Sequence, residues 1–398
     1  ANTAEINSVQ PRLLERLMVR WFEQIEKGQL TIEFPSGHRR VFARDEARPQ
    51  ALLKIHNLRL ILRMLFAGDL GLSEGYLKGE WETPDLAALL TVGALNLDAL
   101  SDALQSGWVS KMQGRMRHAM RANTRRGSRR NIAAHYDLGN AFYKPWLDRT
   151  MTYSSALFDD FNEDLSVAQH RKYARLAEAL EIQSGDQVLE IGCGWGGFAE
   201  YATREFGCKI IGLTLSAEQA DYARTRVTNA GLKDQVEIRL QDYRDVEGKF
   251  DKIVSIEMFE AVGVENWPVY FDVIRRRLTP GGRAAIQTIT IEDERFDAYR
   301  STPDFIQHYI FPGGALPSPS IFTESAAKAR MAVSDNYFFG PSYAETLRRW
   351  KEGFLAAWPE IRELGFDDRF HRMWLYYLCY CEAGFDTGKI DVAQFTIE

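Results

Sequence analysis

With 398 residues the chain is too long for one ordinary domain, and two are expected. Hydrophobic residues at 45% and charged residues at 26% exclude a disordered chain and leave ample material for a core; the net charge of −6 is unremarkable and conceals strong local polarity. The four cysteines form no metal-ligand pattern and no disulfide framework, which points to a reduced cytoplasm, and neither a signal peptide nor a membrane span is expected. Nine Trp, 16 Tyr and 23 Phe supply either packing or an apolar ligand tunnel.

Residues 1–110 are expected to form a smaller, mainly helical N-terminal domain. Leu13, Leu14, Leu17, Met18 and Phe22, then Leu58, Leu62, Leu65 and Phe66, recur at helical spacing. Between them residues 30–42 alternate and turn like a β-hairpin. A basic linker helix is expected over 111–130, where Lys111, Arg115, Arg117, Arg121, Arg125, Arg126, Arg129 and Arg130 stand with no acid among them and Met112, Met116 and Met120 fall four apart. Such a helix suits a solvated linker, an anionic membrane surface at about 1 kcal/mol per basic residue, or a nucleic-acid backbone.

From 131 to 398 strands and helices alternate as in a doubly wound α/β domain. Its most informative stretch is residues 186–199. Val188 to Ile191 read as a buried strand, after which Gly192, Gly194 and Gly197 let the backbone turn sharply and approach a ligand before a helix begins. Taken alone, the glycine spacing fits any nucleotide-binding corner. A dinucleotide would want an acid ending the second strand, but residues 208–215 end in Leu-Thr-Leu with Ser216 following. The acid here lies inside the first strand, at Glu190. A cofactor without phosphates, carrying an amino-acid end and a ribose, suits this corner better, and S-adenosylmethionine is that cofactor. Strands at 236–240, 252–259 and 283–291 follow, with a helix over 267–278 closed by Pro280-Gly281-Gly282. A lid-like aromatic insertion spans about 293–322, and a last strand lies near 390–397. Glu190, Thr214, Asp242 and Glu257 all fall at the carboxyl ends of strands, where ligands bind in such sheets. The layout is that of a class I S-adenosylmethionine methyltransferase, Rossmann-like with a mostly parallel seven-stranded sheet.

Several motifs share a further likeness: residues 135–140 (His-Tyr-Asp-Leu-Gly-Asn), 152–154, 190–197, 212–219, 241–245, 258–263 and 309–314, then 355–360, and in the first domain 70–82. Together they resemble cyclopropane fatty acid synthases over nearly the whole chain, and the N-terminal domain resembles that of the full-length, phospholipid-acting branch. The resemblance implies methyl transfer from S-adenosylmethionine to the cis double bond of an unsaturated phospholipid acyl chain through a carbocation. It assigns cofactor contacts to Tyr153, Ser154, Glu190, Gly192, Cys193, Gly194, Gly196, Gly197, Thr214, Leu215, Gln219, Asp242 and Tyr243. His135, Tyr136, Tyr309 and Phe311 are then substrate or lid residues. It also implies a bicarbonate ion acting as base, held by Glu260, by Tyr343, by the carbonyl of Ile289 and by a Cys and a His. At those last two positions this chain carries Ser155 and Gln287, and Ala261 stands where a His is usual. Cys381 aligns with a cysteine once regarded as catalytic, but its apolar helix suggests a buried thiol.

Ser and Gln still donate hydrogen bonds to an anion, so bicarbonate could persist with altered placement. Glu260 is expected to supply fixed negative charge toward the cation. A displaced base would take its proton from a neighbouring carbon and give a methyl-branched or methylene chain, with a true cyclopropane as the alternative. An RNA methyltransferase gripping phosphates through 111–130 is the reading from another class, opposed by the apolar insertion; a non-catalytic lipid-binding homologue is a third. No metal and no nucleic-acid partner are expected. A cytoplasmic enzyme resting on the inner face of the membrane through 111–130 is, with a homodimer left open.

Overall fold

The computed structural model describes residues 2–5, 13–43, 48–100 and 138–398. The basic segment 111–130, together with His135 and Tyr136, lies outside the described residues, as do the expected boundaries at 110 and 130. The chain divides into two compact units.

One unit groups the N-terminal region with residues 301–308 and 365–389. It contains a five-stranded sheet in the order β1-β3-β2-β4-β5, built from β1 (Asn2–Glu5), β2 (Gln29–Glu33), β3 (Arg39–Ala43), β4 (Gln50–Ile55) and β5 (Trp81–Glu82). Helices α1 (Leu13–Phe22), α2 (Arg59–Leu77) and α3 (Leu86–Leu95) accompany it. The expected hairpin is therefore the centre of a sheet, and the unit is mixed rather than mainly helical. Strand β5, with two residues, is too short for alternation to stand out.

A further correction concerns the helix Asp368–Asp386, expected in the catalytic domain but grouped with the N-terminal unit. Arg372 Nε donates to the Tyr76 carbonyl at 2.6 Å, and its guanidinium lies 3.9 Å from the centre of the Tyr76 ring. Tyr376 meets Phe305 with ring centres 4.6 Å apart. Part of the expected lid insertion thus serves as packing for this unit.

The second unit holds a seven-stranded sheet in the order β11-β12-β10-β9-β6-β7-β8. Its strands are β6 (Gln187–Ile191), β7 (Lys209–Thr214), β8 (Val236–Leu240), β9 (Phe250–Ile256), β10 (Leu278–Ile291), β11 (Val333–Phe338) and β12 (Ile390–Ile397). The five strands from β10 to β8 run parallel, and β12 is antiparallel to both β10 and β11. That is the expected class I layout. Near-continuous apolar runs such as Val188-Leu189 and Ile253-Val254 are what a sheet covered on both faces requires, and all four side chains are fully buried. One face packs Phe259, Tyr270, Phe271 and Phe322, and the other packs Leu176, Phe198, Ala199 and Ala220.

The helices that matter for the site are α4 (Leu165–Ala179), α5 (Gly197–Phe206), α6 (Ala217–Asn229) and α7 (Gly340–Glu363). Helix α6 starts as its sequence dictates: Ser216 has extended backbone and its hydroxyl accepts from Gln219 N at 3.3 Å. Ser216→Ala should therefore cost about 1 kcal/mol, the usual worth of such a cap, as a lowered urea midpoint at unchanged slope. An unchanged midpoint would remove the cap from the account.

Candidate active site

The crossing point β9-β6-β7 places the C-terminal ends of three parallel strands around one cavity, the switch point at which open α/β sheets bind ligands. At the end of β6 the chain must turn tightly under the cavity floor. Gly192 does so with φ +86°, and a Cβ there would lie 2.8 Å from Met258 Cγ. Gly196 caps α5 in the left-handed region, and Gly197 leaves room for the Tyr173 hydroxyl, 2.6 Å from where a Cβ would be. The turn is pinned by Gly192 N and Cys193 N, both donating to the Leu213 carbonyl.

Of the thirteen residues assigned to the cofactor from sequence, twelve line this cavity; Gly196 does not, acting instead as the helix cap. Glu190 is 2% exposed, and its Oε2 has no hydrogen-bond partner among the described residues. Burial pushes its carboxyl well above the usual range, against the pull of Arg226 and Lys172. A buried acceptor without a donor marks a place for hydroxyls that arrive with a ligand. Thr214 Oγ1 bonds Gln219 Oε1 at 2.9 Å, holding the β7–α6 corner, and Leu215 lines the wall beside it. Burial raises the Cys193 thiol as well, so it serves as packing rather than as a nucleophile.

Asp242 lines the cavity, and its carboxylate is already paired. Arg244 clamps it through Nε at 2.9 Å and Nη2 at 2.6 Å, an ion pair that sequence reasoning missed. Neighbouring Tyr243 is pushed up to about 12 by burial. Tyr153 sits among aromatic rings, 5.3 Å from Tyr143 and 5.1 Å from Trp350. Ser154 Oγ accepts from Lys172 Nζ at 2.7 Å. Lys172, on α4, is fully buried, and that burial brings its ammonium down to about 7. Nothing in its helical pattern marked it.

The residues assigned to the anion ring do assemble, but around a different centre. Glu257, noted from sequence only as a strand-end acid, lines the cavity just beyond β9. Its Oε1 accepts from Ser155 N and from Gln287 Nε2, each at 2.8 Å, and its Oε2 accepts from the Tyr343 hydroxyl at 2.6 Å. Gln287 is steadied by Gln394 Nε2 at 3.0 Å, whereas the Ser155 hydroxyl turns away to the Ala156 carbonyl. Ile289 donates its N–H to Glu260 Oε1 at 2.5 Å, and its carbonyl accepts from the Thr288 hydroxyl at 3.3 Å.

Glu260 Oε2 is buried with no partner among the described residues. Burial, then the nearby Glu257, pushes the Glu260 carboxyl up to about 8, so at neutral pH it keeps its proton and is not the expected fixed charge. Burial raises Glu257 too, but Lys172 and three donors oppose that. Of the two, Glu257 is the one whose charged form the surrounding donors favour.

Cys381 lies outside this constellation. It belongs to the N-terminal unit, where burial and Asp304 hold its thiol far above the usual range. Tyr309 lies within the π-helical turn Ile306–Ile310, and neither it nor Phe311 lines the cavity; the segment closes where Ala315 N donates to the Glu260 carbonyl. Among the described residues no cluster suits a metal ion, and no helix is long and apolar enough to cross a membrane.

Residues 123–395 match the family profile described as mycolic acid cyclopropane synthetase. The chain is 43% identical over 338 residues to a tuberculostearic acid methyltransferase of Mycobacterium tuberculosis, covering 83% of this chain and 79% of the relative. It is 36% identical over 350 residues to the cyclopropane-fatty-acyl-phospholipid synthase of Escherichia coli, covering 86% of each. Among solved structures, a mycolic acid cyclopropane synthase complexed with SAH and CTAB superposes with a TM-score of 0.64 at 32% identity, over 68% of this chain and 97% of that one. With this cavity, glycine corner and buried Glu190, the chain belongs to the cyclopropane fatty acid synthase family, S-adenosylmethionine-dependent methyltransferases acting on fatty acyl chains.

Proposed function

We propose that this enzyme methylates the cis double bond of an unsaturated phospholipid acyl chain and releases a methyl-branched or methylene chain rather than a cyclopropane. The observation that carries this reading is the buried Glu257–Glu260 pair beside the cofactor cavity, in a ring where Ser155 and Gln287 replace the residues expected of a cyclopropane former.

S-adenosylmethionine supplies an electrophilic methyl carbon on a sulfonium, fitted by the unpartnered Glu190 oxygen and the glycine cradle. An alkene is a weak nucleophile, so the protein must align it within about 3–3.5 Å of that carbon and exclude water. Tyr153 and its neighbouring rings provide an apolar wall whose π-faces favour a nearby cation. The negative charge of the carboxyl pair stabilises the carbocation in a dry site, and the raised Cys193 thiol offers no nucleophile to trap it.

The name of the relative at 43% identity, a methyltransferase, favours a methyl product; that of the relative at 36% favours a phospholipid substrate and keeps ring closure as the second reading. The basic run 111–130 supports docking on an anionic membrane surface from the cytoplasmic side. The test is incubation with S-adenosylmethionine and vesicles of monounsaturated phosphatidylglycerol or phosphatidylcholine, followed by proton NMR of the acyl chains. Methylene and cyclopropane products have the same mass but differ in spectrum. Vinylic or allylic-methyl signals are expected, with faster turnover on the anionic vesicles. Ring protons alone would replace the branched reading by ring closure.

A further inference from the structure

Glu257 is unusual in both backbone and surroundings. Its φ of +48° is a left-handed conformation seldom adopted by a residue with a long side chain. Such a conformation is strained and tends to persist where a site needs it. The side chain is held from three directions, by the Ser155 amide, the Gln287 amide and the Tyr343 hydroxyl. A carboxylate has about four lone-pair positions. Among the described residues two on Oε1 and one on Oε2 are filled, which leaves one on Oε2.

Bicarbonate is the ion that the family resemblance places among Ser155, Gln287 and Tyr343. The residues present do not fit it: the donors expected to hold it are spent on a carboxylate of the protein, and the Ser155 hydroxyl is turned to the Ala156 carbonyl. A second anion there would stand against Glu257 with, among the described residues, only buried Lys172 to offset it.

We propose that Glu257 is the catalytic base of this enzyme and takes the place of bicarbonate. The inference rests on the methyl-transfer reading above. When the methyl has moved, the sulfur has kept the electrons of the broken C–S bond and the acyl chain is a carbocation. A C–H bond beside the cationic carbon, or on the new methyl after a hydride shift, then gives its electron pair to the new carbon–carbon bond. Its proton goes to Glu257 Oε2. No oxidant or reductant is consumed. Lys172 and the three donors favour the ionised form of Glu257 before the step.

Two measurements on the unaltered protein test this. With methyl-labelled S-adenosylmethionine and dioleoylphosphatidylglycerol vesicles, the rate in carbon-dioxide-purged buffer should equal that with millimolar bicarbonate. In ¹³C NMR, labelled bicarbonate should show no binding to the protein saturated with S-adenosylhomocysteine. A bicarbonate-dependent rate, or bound bicarbonate, overturns the inference. Absence of label in the acyl chains overturns the methyl-transfer reading instead, while the NMR result still decides whether the anion is held. Glu257→Gly, which suits the positive φ, should lose on the order of 10²-fold or more in rate and bind labelled bicarbonate. Bicarbonate or formate should restore part of its rate, and its affinity for S-adenosylhomocysteine should stay parental. Glu257→Gln at parental rate would equally overturn the assignment.

Discussion

Replacing Glu190 by Gln is expected to weaken S-adenosylhomocysteine binding by on the order of 10²-fold while leaving the free protein at least as stable. The two effects have one origin. In the free protein a nearly inaccessible carboxyl has an oxygen without a partner, and burial drives its proton affinity well up. The neutral amide removes that penalty. In the complex a ribose diol would donate to the carboxylate, and hydrogen bonds to a charged acceptor are worth about 1.5–3 kcal/mol each. Because burial raises the carboxyl in the free protein while a ribose diol favours its charged form, affinity should rise with pH as Glu190 ionises. Calorimetry in buffers of different ionisation enthalpy reads both the affinity and the released proton, and thermal melting reads the stability. Parental affinity in the variant would remove Glu190 from the cofactor site.

The second large effect is expected at Glu260. Glu260→Gln should slow methyl transfer by on the order of 10²-fold, the usual loss when a positioned acid–base or charge-setting group goes. The parent should also lose activity as pH rises through about 8, the value to which burial and Glu257 push this carboxyl. Above that pH both members of the pair would ionise, and the variant should lack this alkaline limb. Stability follows the same sign. The folded protein keeps a proton that the unfolded chain, with its ordinary value near 4.5, releases. The resulting stabilisation is complete below about 4.5 and is lost as pH rises through about 8. A variant with parental rate and limb would show that Glu260 takes no part.

The cofactor corner was legible in the sequence because its geometry is local. Glycines at 192, 194 and 196 encode positive φ directly, and one strand fixes Glu190 relative to them. The carboxylate ring was legible only as a set of names. Ser155, Gln287 and Tyr343 lie 102, 30 and 86 residues from Glu257, and no pattern of spacing says which acid they will meet. Expectation put Glu260 at the centre, and the structure puts Glu257 there. The apolar face of the helix Asp368–Asp386 was readable as buried, but periodicity states only that a face is covered and not what covers it.

Strand β12 lies between β10 and β11 although it follows both in the chain. It carries Gln394, which steadies Gln287, which in turn holds the Glu257 carboxylate. During synthesis the glycine corner can therefore form on β6, β7 and β9 while the carboxylate ring still lacks its support. A ribosome-bound chain stalled before residue 390 should be able to recognise the cofactor yet present a slack, wet proton-accepting site. Competence for chemistry would arrive later than competence for binding, with the insertion of a single strand.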